Sequence, residues 1–319
     1  MINSSFKLTE QDIANLKKQG FIKLKGFLAP EAIKCLDEIL EQDLEDANAA
    51  HENIFSKYKY DMESNKDLEI IQHPVFQSTL AKLCQCSLLY AQHLGFEIEK
   101  NTNPGLKWHV DTLSFAYQQL EDFACTLWIP LTKIDTNAQG GGMSYVSKEK
   151  LSGKFLYDYA SILSSYVQDL QAKDAAPSKE EMERLEYFMV SSPEVDTILR
   201  TQAEMDDFEL GDVLLWDKEV IHRTCLLTEG PINTRRAFIM RFIAADSTYD
   251  LERVQKLKPY IDILNYDSYS TFALNVCKEE GELIIDSPLF KTTKAQRLIS
   301  LMKEEGRRKK EEGRGKASV

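Results

Sequence analysis

His109 and Asp111 stand two residues apart in the run Lys107-Trp108-His109-Val110-Asp111-Thr112. In an extended backbone side chains repeat every second residue, so the imidazole and the carboxylate leave the same face. Together they could take two neighbouring positions on a metal ion. One further histidine would complete a 2-His-1-carboxylate face, which leaves three positions open for substrates and oxygen. The same spacing also suits an ordinary core or surface histidine beside an acid, so the rest of the chain has to decide.

Composition narrows the field first. Lys and Arg number 39 against 51 acids, a net charge of −12 over 319 residues. That balance disfavours a nucleic-acid surface, which needs a basic field. A hydrophobic fraction of 43% with 10% aromatics is ample for a packed core. The length suits two average domains or one large β domain with helical additions. No apolar run is long enough to span a bilayer, and Met1-Ile2-Asn3-Ser4-Ser5 has no signal-peptide character. The six cysteines lie mostly in apolar segments, as buried thiols do, and Cys84-Gln85-Cys86 has no second pair to complete a zinc site. The expectation is a cytoplasmic or other reduced, soluble compartment.

The elements that must position the pair can be read in turn. Thr9 with Asp12 is a capping box, with Leu8 and Ile13 as a hydrophobic staple, and the helix should end near Gly20. Phe21 to Leu28 reads as a half-buried strand. Pro30 opens a helix whose Ile33, Leu36, Leu40 and Leu44 form one apolar stripe, with the acids of Glu41 to Asp46 facing water. His51 and His73 read as surface residues. Ser87 to Glu99 is apolar and β-like, His93 within it reads as a core or rim histidine, and an Asn101-Pro104-Gly105 turn leads to the H-x-D run. Phe123 to Leu131 is another strand. Gly140-Gly141-Gly142 opens no helix, so it reads as a turn into Met143-Ser144-Tyr145-Val146 and not as a phosphate loop.

Between Lys150 and Met205 the period becomes helical. Phe155, Leu156, Tyr159, Ile162, Leu163 and Tyr166 form a stripe, and Ser178 with Glu181 makes a second capping box before Met182, Leu185 and Met189. Such stripes usually pack a core; placed here, they could also roof a substrate cavity. Strands resume with Val213 to Trp216, after which His222 lies just beyond a strand. In Arg235 to Ile243, Arg235, Ala237, Ile239 and Arg241 share one face and Arg236 lies on the other. After Asp246 the chain reads as helical or irregular, and residues 303–319 as a charged, disordered tail.

The order H-x-D, distant histidine, then arginine on the next strand resembles the Fe(II)/2-oxoglutarate-dependent oxygenases, and more closely their phytanoyl-CoA dioxygenase-like branch. Four blocks carry the resemblance: Gly20 to Leu28, Trp108 to Asp111, Gly142 to Val146, and Gly211 to Trp216 through His222 to Ala237. They span roughly residues 8 to 246. The block Gly142 to Lys150 lacks the glycine-serine-histidine ending frequent in such proteins, a departure on the substrate side.

The resemblance implies a mainly β protein with α additions, a double-stranded β-helix (jelly-roll, cupin-like) flanked by N-terminal and inserted helices. The expected organisation is one catalytic domain over residues 1–302, an insertion near 150–205, and a helical extension from about 247. It further implies that His109, Asp111 and His222 hold Fe(II), that 2-oxoglutarate and O₂ are cosubstrates with ascorbate in support, and that Arg235 receives the far carboxylate of 2-oxoglutarate. The reaction implied is hydroxylation of a C–H bond, or cyclisation or desaturation, with release of succinate and CO₂. Asp111 stands where a related halogenase binds chloride, which argues against halogenation. Trp108, Tyr117 and Trp128 are candidate cavity walls. Lys107, Lys133, Arg223 and Arg241 hint at a small, anionic substrate, or at local ion pairs. Two other readings stay open: a cupin-like metal-dependent hydrolase or isomerase that does not use 2-oxoglutarate, and a non-catalytic barrel protein.

Overall fold

The computed structural model describes residues 1–46, 57–61, 67–101, 107–264, 272–291 and 293–301. His51, residues 102–106 of the expected turn, and the charged tail lie outside them. Helix α1 (Glu10–Gln19) has the Thr9–Asp12 capping box and ends on Gly20 at φ 84°, where only glycine is unstrained. Strand β1 (Phe21–Leu24) is shorter than expected, because the chain turns at Gly26 (φ 58°) and the Gly26 amide donates to Asp212. Helix α2 (Pro30–Asp46), strand β2 (Lys57–Asp61), and helices α3 (Leu68–Ile71) and α4 (Pro74–Cys84) follow. His73 is the N-cap of α4, its Nδ1 accepting from the Val75 amide.

Then come β3 (Leu88–Glu99), β4 (Ala124–Pro130) and β5 (Met143–Val146). Helices α5 (Lys154–Gln171), α6 (Lys179–Glu186) and α7 (Pro193–Gln202) separate them from β6 (Ala203–Met205), β7 (Val213–Asp217), β8 (Ile221–Thr224) and β9 (Thr234–Ala244). Helix α8 (Leu251–Leu264) and the two-residue β10 (Leu298–Ile299) end the described chain. No helix among the described residues is long and apolar enough to cross a membrane.

The strands form two antiparallel sheets. The larger runs β1-β7-β4-β9-β3, with β2 and β10 both on the outer edge of β3; the smaller runs β6-β5-β8. Strands β4 and β7 are buried along their whole length, since each side of the large sheet is covered. Its outer face packs Cys125, Leu127, Ile129, Phe238 and Met240 against Leu36, Leu40, Phe76 and Leu80 of α2 and α4. Its inner face meets the small sheet, joining Phe96, Trp128, Leu214 and Ile239 to Met143 and Tyr145. The two facing sheets make the jelly-roll core of a double-stranded β-helix.

Three expectations are corrected by this packing. The acids at the end of α2 do not all face water: Asp43 is fully buried, its Oδ2 3.4 Å from His93 Nε2. His93 Nδ1 lies 3.3 Å from Asp67 and 3.2 Å from the Tyr90 hydroxyl, which itself donates to Asp67. His93 is thus a satisfied core histidine. On α5, Leu156 and Leu163 of the expected stripe are buried, joined by Tyr157 and Val167, whereas Ile162 and Tyr166 are exposed; Leu163 and Val167 pack against Leu257, Tyr260 and Ile261 of α8, and Leu156 and Tyr157 against Trp108 and Val110. The C-terminal region is not purely helical, because Leu298 and Ile299 pair with Leu89 and Leu88.

Candidate metal centre

His222 lies within β8 and not beyond a strand, and the H-x-D run is no strand of its own. Its single ladder contact is a bridge in which His109 and His222 exchange both backbone hydrogen bonds at 2.9 Å. A close backbone pair brings side chains together, and the two imidazole centroids are 4.3 Å apart. Each ring is oriented the same way. His109 Nδ1 lies 2.6 Å from Lys107 O, and His222 Nδ1 lies 2.9 Å from Val220 O. A carbonyl only accepts, so both Nδ1 atoms carry the proton and both Nε2 atoms present a lone pair. The segment is buttressed at Val110, where the start of α5 approaches closely. A Cβ on Gly153 would sit 2.3 Å from Val110 Cγ1, so only glycine fits there.

Asp111 is held from three strands. Thr126 Oγ1 (2.7 Å) and Trp216 Nε1 (3.1 Å) donate to Oδ2, and Arg241 Nη2 is 3.4 Å from Oδ1. Ligand atoms of His109, Asp111 and His222 all lie within 4.8 Å of one another. The electrostatics match the geometry. Burial lowers the His109 pKa to about 3, with His222 reinforcing and Asp111 opposing, and burial lowers His222 as well. For Asp111 burial acts upward, yet Arg241, the two imidazoles and Thr126 hold it well below the usual carboxylate range. Two neutral imidazoles and an ionised carboxylate form the donor set a divalent cation needs, and their facial grouping is that of non-haem Fe(II) sites.

Arg235 faces the same interior. It is fully buried, its guanidinium carbon 5.1 Å from the Phe96 ring centroid and 5.8 Å from that of Trp128. Nε, Nη1 and Nη2 have no hydrogen-bond partner among the described residues. Burial lowers its pKa to about 9, against a smaller opposite pull from Cys225, so it stays cationic at neutral pH. An unpaired buried charge costs several kcal/mol, far more than ring contacts of about 1–2 kcal/mol return. A bidentate carboxylate would offset that cost. Arg236, on the opposite face, is ion-paired with Asp37 (2.6 Å) and Glu97 (3.0 Å).

The other candidates separate into groups. Trp128 is in the barrel interior. Tyr117 is buried against Phe272, centroids 5.3 Å apart, and its hydroxyl has no partner among the described residues. Lys107 Nζ lies 5.2 Å over the Tyr187 ring. Lys133 is not at the site; it is exposed and paired with Glu209 at 2.6 Å. Trp108 and Arg223, neighbours in sequence of the two histidines, bind Asp196 of α7. Trp108 Nε1 donates to Asp196 Oδ1 at 2.9 Å, Arg223 Nη1 lies 3.4 Å from the same atom, and Arg223 stacks on Trp108 at 4.7 Å. Arg200 takes the other oxygen at 2.5 Å. Thus α7 is tied to both metal-bearing segments. Thr126, Trp216 and Asp196 were not singled out from sequence. Trp216 could have been, as an inward position of an otherwise aliphatic strand; Asp196 carries no local signal. Replacing Asp196 by alanine is expected to destabilise the protein by roughly 1–2 kcal/mol, since three donors lose one acceptor. Chemical denaturation checks this, with Asp196→Asn recovering part of the loss through its remaining carbonyl.

The phytanoyl-CoA dioxygenase (PhyH) family profile matches residues 16–225. Among solved structures, the non-haem α-ketoglutarate-dependent carbocyclase SnoK from nogalamycin biosynthesis is similar at a TM-score of 0.56 and 17% identity, covering 76% of this chain and 87% of its own. The epimerase SnoN from the same biosynthesis gives 0.52 and 13%, covering 75% and 84%. EctD from S. alaskensis gives 0.50 and 11%, covering 78% and 82%. At these identities the likeness is one of fold. No curated protein sequence matches the chain.

Proposed function

The chain belongs to the phytanoyl-CoA dioxygenase family and is an Fe(II)/2-oxoglutarate-dependent dioxygenase, and we propose that it hydroxylates a C–H bond of a small organic molecule. The observation that carries this reading is the meeting of His109, Asp111 and His222 within 4.8 Å, at one end of a barrel that also buries Arg235, whose guanidinium has no hydrogen-bond partner among the described residues. Fe(II) bound with 2-oxoglutarate and O₂ supplies the oxidant there, so that R–H, 2-oxoglutarate and O₂ become R–OH, succinate and CO₂.

The chain's own groups set up that chemistry. His109 Nε2, His222 Nε2 and the Asp111 carboxylate hold the metal, with the ring tautomers set by Lys107 and Val220 carbonyls. Thr126 and Trp216 donate to Asp111 Oδ2 and fix the carboxylate in place. Arg235 would receive the distal carboxylate of 2-oxoglutarate as a bidentate acceptor and so position the cosubstrate. Phe96, Trp128 and Phe208 exclude water around it, which strengthens that ion pair. Of the four cations expected to favour an anionic substrate, Arg223 is engaged by Asp196, Lys133 by Glu209 and Arg241 by Asp111, which leaves Lys107 as the candidate to meet an acidic group.

A hydrolase or isomerase that does not use 2-oxoglutarate has no use for Arg235, and a non-catalytic barrel has no use for a complete ligand set. The test is succinate release with iron and ascorbate against a panel of small acids, amino acids and acyl thioesters. Turnover stimulated by one panel member names the substrate. An anaerobic Fe(II) protein that develops no weak visible charge-transfer band on adding 2-oxoglutarate would refute the reading.

A further inference from the structure

The two candidate ligand histidines are flanked by matched cross-strand contacts on their far side. Among the described residues, the H-x-D run meets a ladder only at the His109–His222 bridge. Counting outward from that bridge, Trp108 stands opposite Arg223 and Val110 opposite Ile221, positions at which antiparallel side chains lie close. The Arg223 guanidinium carbon is 4.7 Å from the Trp108 ring centroid, and Val110 shares one apolar cluster with Ile221. Alternation turns these four residues away from the metal face. They meet Leu156 and Tyr157 of α5 and Leu199 of α7 instead.

A ladder of one rung cannot by itself fix the angle between the two segments it joins, so the flanking side chains must. One group acts on both segments at once. Asp196 Oδ1 accepts from Trp108 Nε1 at 2.9 Å and lies 3.4 Å from Arg223 Nη1. Arg200, one turn further along α7, holds Oδ2 at 2.5 Å. The carboxylate is thus anchored on its own helix and reaches the residue before His109 and the residue after His222.

We propose that Asp196 is a positioning residue for the metal centre: through Trp108 and Arg223 it holds the His109 and His222 rings at the separation the metal requires. The proposal rests on the reading of His109, Asp111 and His222 as metal ligands. Trp108 and Arg223 then serve the metal centre and not the primary substrate. The coupling is reciprocal: whatever factor the docking of α7 adds to metal affinity, bound metal adds to the docking of α7.

The test begins with anaerobic Fe(II) titration of the metal-free chain. Asp196→Ala should bind about tenfold more weakly than wild type, the low end of what outer partners of metal ligands contribute. Asp196→Asn, which keeps an acceptor for the indole, should recover part of the loss. Trp108→Phe keeps a ring beneath Arg223 and removes only the donor, so it should weaken binding by less than Asp196→Ala does. Near-UV circular dichroism of each metal-free sample reports whether tertiary packing is retained. Hydrogen exchange tests the reciprocal effect with no substitution. Zinc should slow the amides of α7 about tenfold in wild type while leaving those of α1 unchanged, and the slowing should vanish in Asp196→Ala. A carboxylate that merely staples α7 would alter stability alone. Equal Fe(II) affinity in wild type and all three variants, or α7 exchange indifferent to zinc, overturns the assignment and leaves the ligand set in place. A wild type that binds no Fe(II) overturns both.

Discussion

Replacing His222 by alanine is expected to abolish iron-dependent turnover while leaving the barrel folded. The side chain supplies one of three ligand groups, and even outer partners of a metal ligand are typically worth about 10–100-fold in affinity. Loss of the ligand itself should therefore weaken Fe(II) binding by more than about 100-fold. The fold should persist because the bonds joining His222 to His109 and Val146 to Ile221 run through the backbone. Metal titration of the variant, followed by circular dichroism of the same sample, separates the two effects. A variant that still couples iron to succinate release would show that residue 222 is no ligand.

The second large effect concerns Arg235, and it has two opposed parts. Substitution by methionine keeps much of the volume and removes the buried charge. Replacing buried charges by apolar groups is often neutral or stabilising by about 1–4 kcal/mol, so the ligand-free protein should unfold at equal or higher denaturant. The requirement for 2-oxoglutarate should rise on the order of 100-fold or more, since truncating one side of a buried charge pair costs about 2–5 kcal/mol. Iron should remain bound, because Arg235 touches none of the three ligands. A structural arginine would behave in the opposite way, with stability lost and cosubstrate dependence unchanged. Denaturation of the metal-free protein and the apparent KM for 2-oxoglutarate decide between them.

Much of this site was legible in the sequence because its parts are local. His109 and Asp111 are two apart, and alternation along β9 puts Arg235 and Arg236 on opposite faces, Arg235 buried in the interior and Arg236 meeting Asp37 and Glu97. The capping boxes at Thr9 and Ser178 formed as expected for the same reason. What escaped depends on non-local packing. Asp43 lies seven residues beyond Leu36, on the apolar stripe, but its setting among Glu41, Glu45 and Asp46 made it look solvated. Its pairing with His93, from a strand fifty positions on, is a contact the helix alone does not show. Ile162 and Tyr166 fit a helical period with Leu156 and Leu163 as well as Tyr157 and Val167 do, and period alone cannot say which flank of the stripe is buried. Asp196 ties α7 to Trp108 and Arg223 through tertiary contacts with no counterpart in its own neighbourhood. The H-x-D run shows that placing two side chains on one face requires extended residues, not a strand of a ladder.

The pairing of Leu298 and Ile299 with Leu89 and Leu88 bears on how the protein is made. As a nascent chain leaves the ribosome, β3 emerges early, yet part of its outer rim is sealed by residues synthesised near the end of the described chain. Until then that rim offers bare amides and carbonyls to any other extended polypeptide. Arg297 strengthens the late closure, its Nη1 3.3 Å from both the Tyr90 and Ala91 carbonyls where β3 bulges. Ribosome-bound intermediates truncated before residue 293 should therefore depend on holding chaperones in a way that the released chain does not.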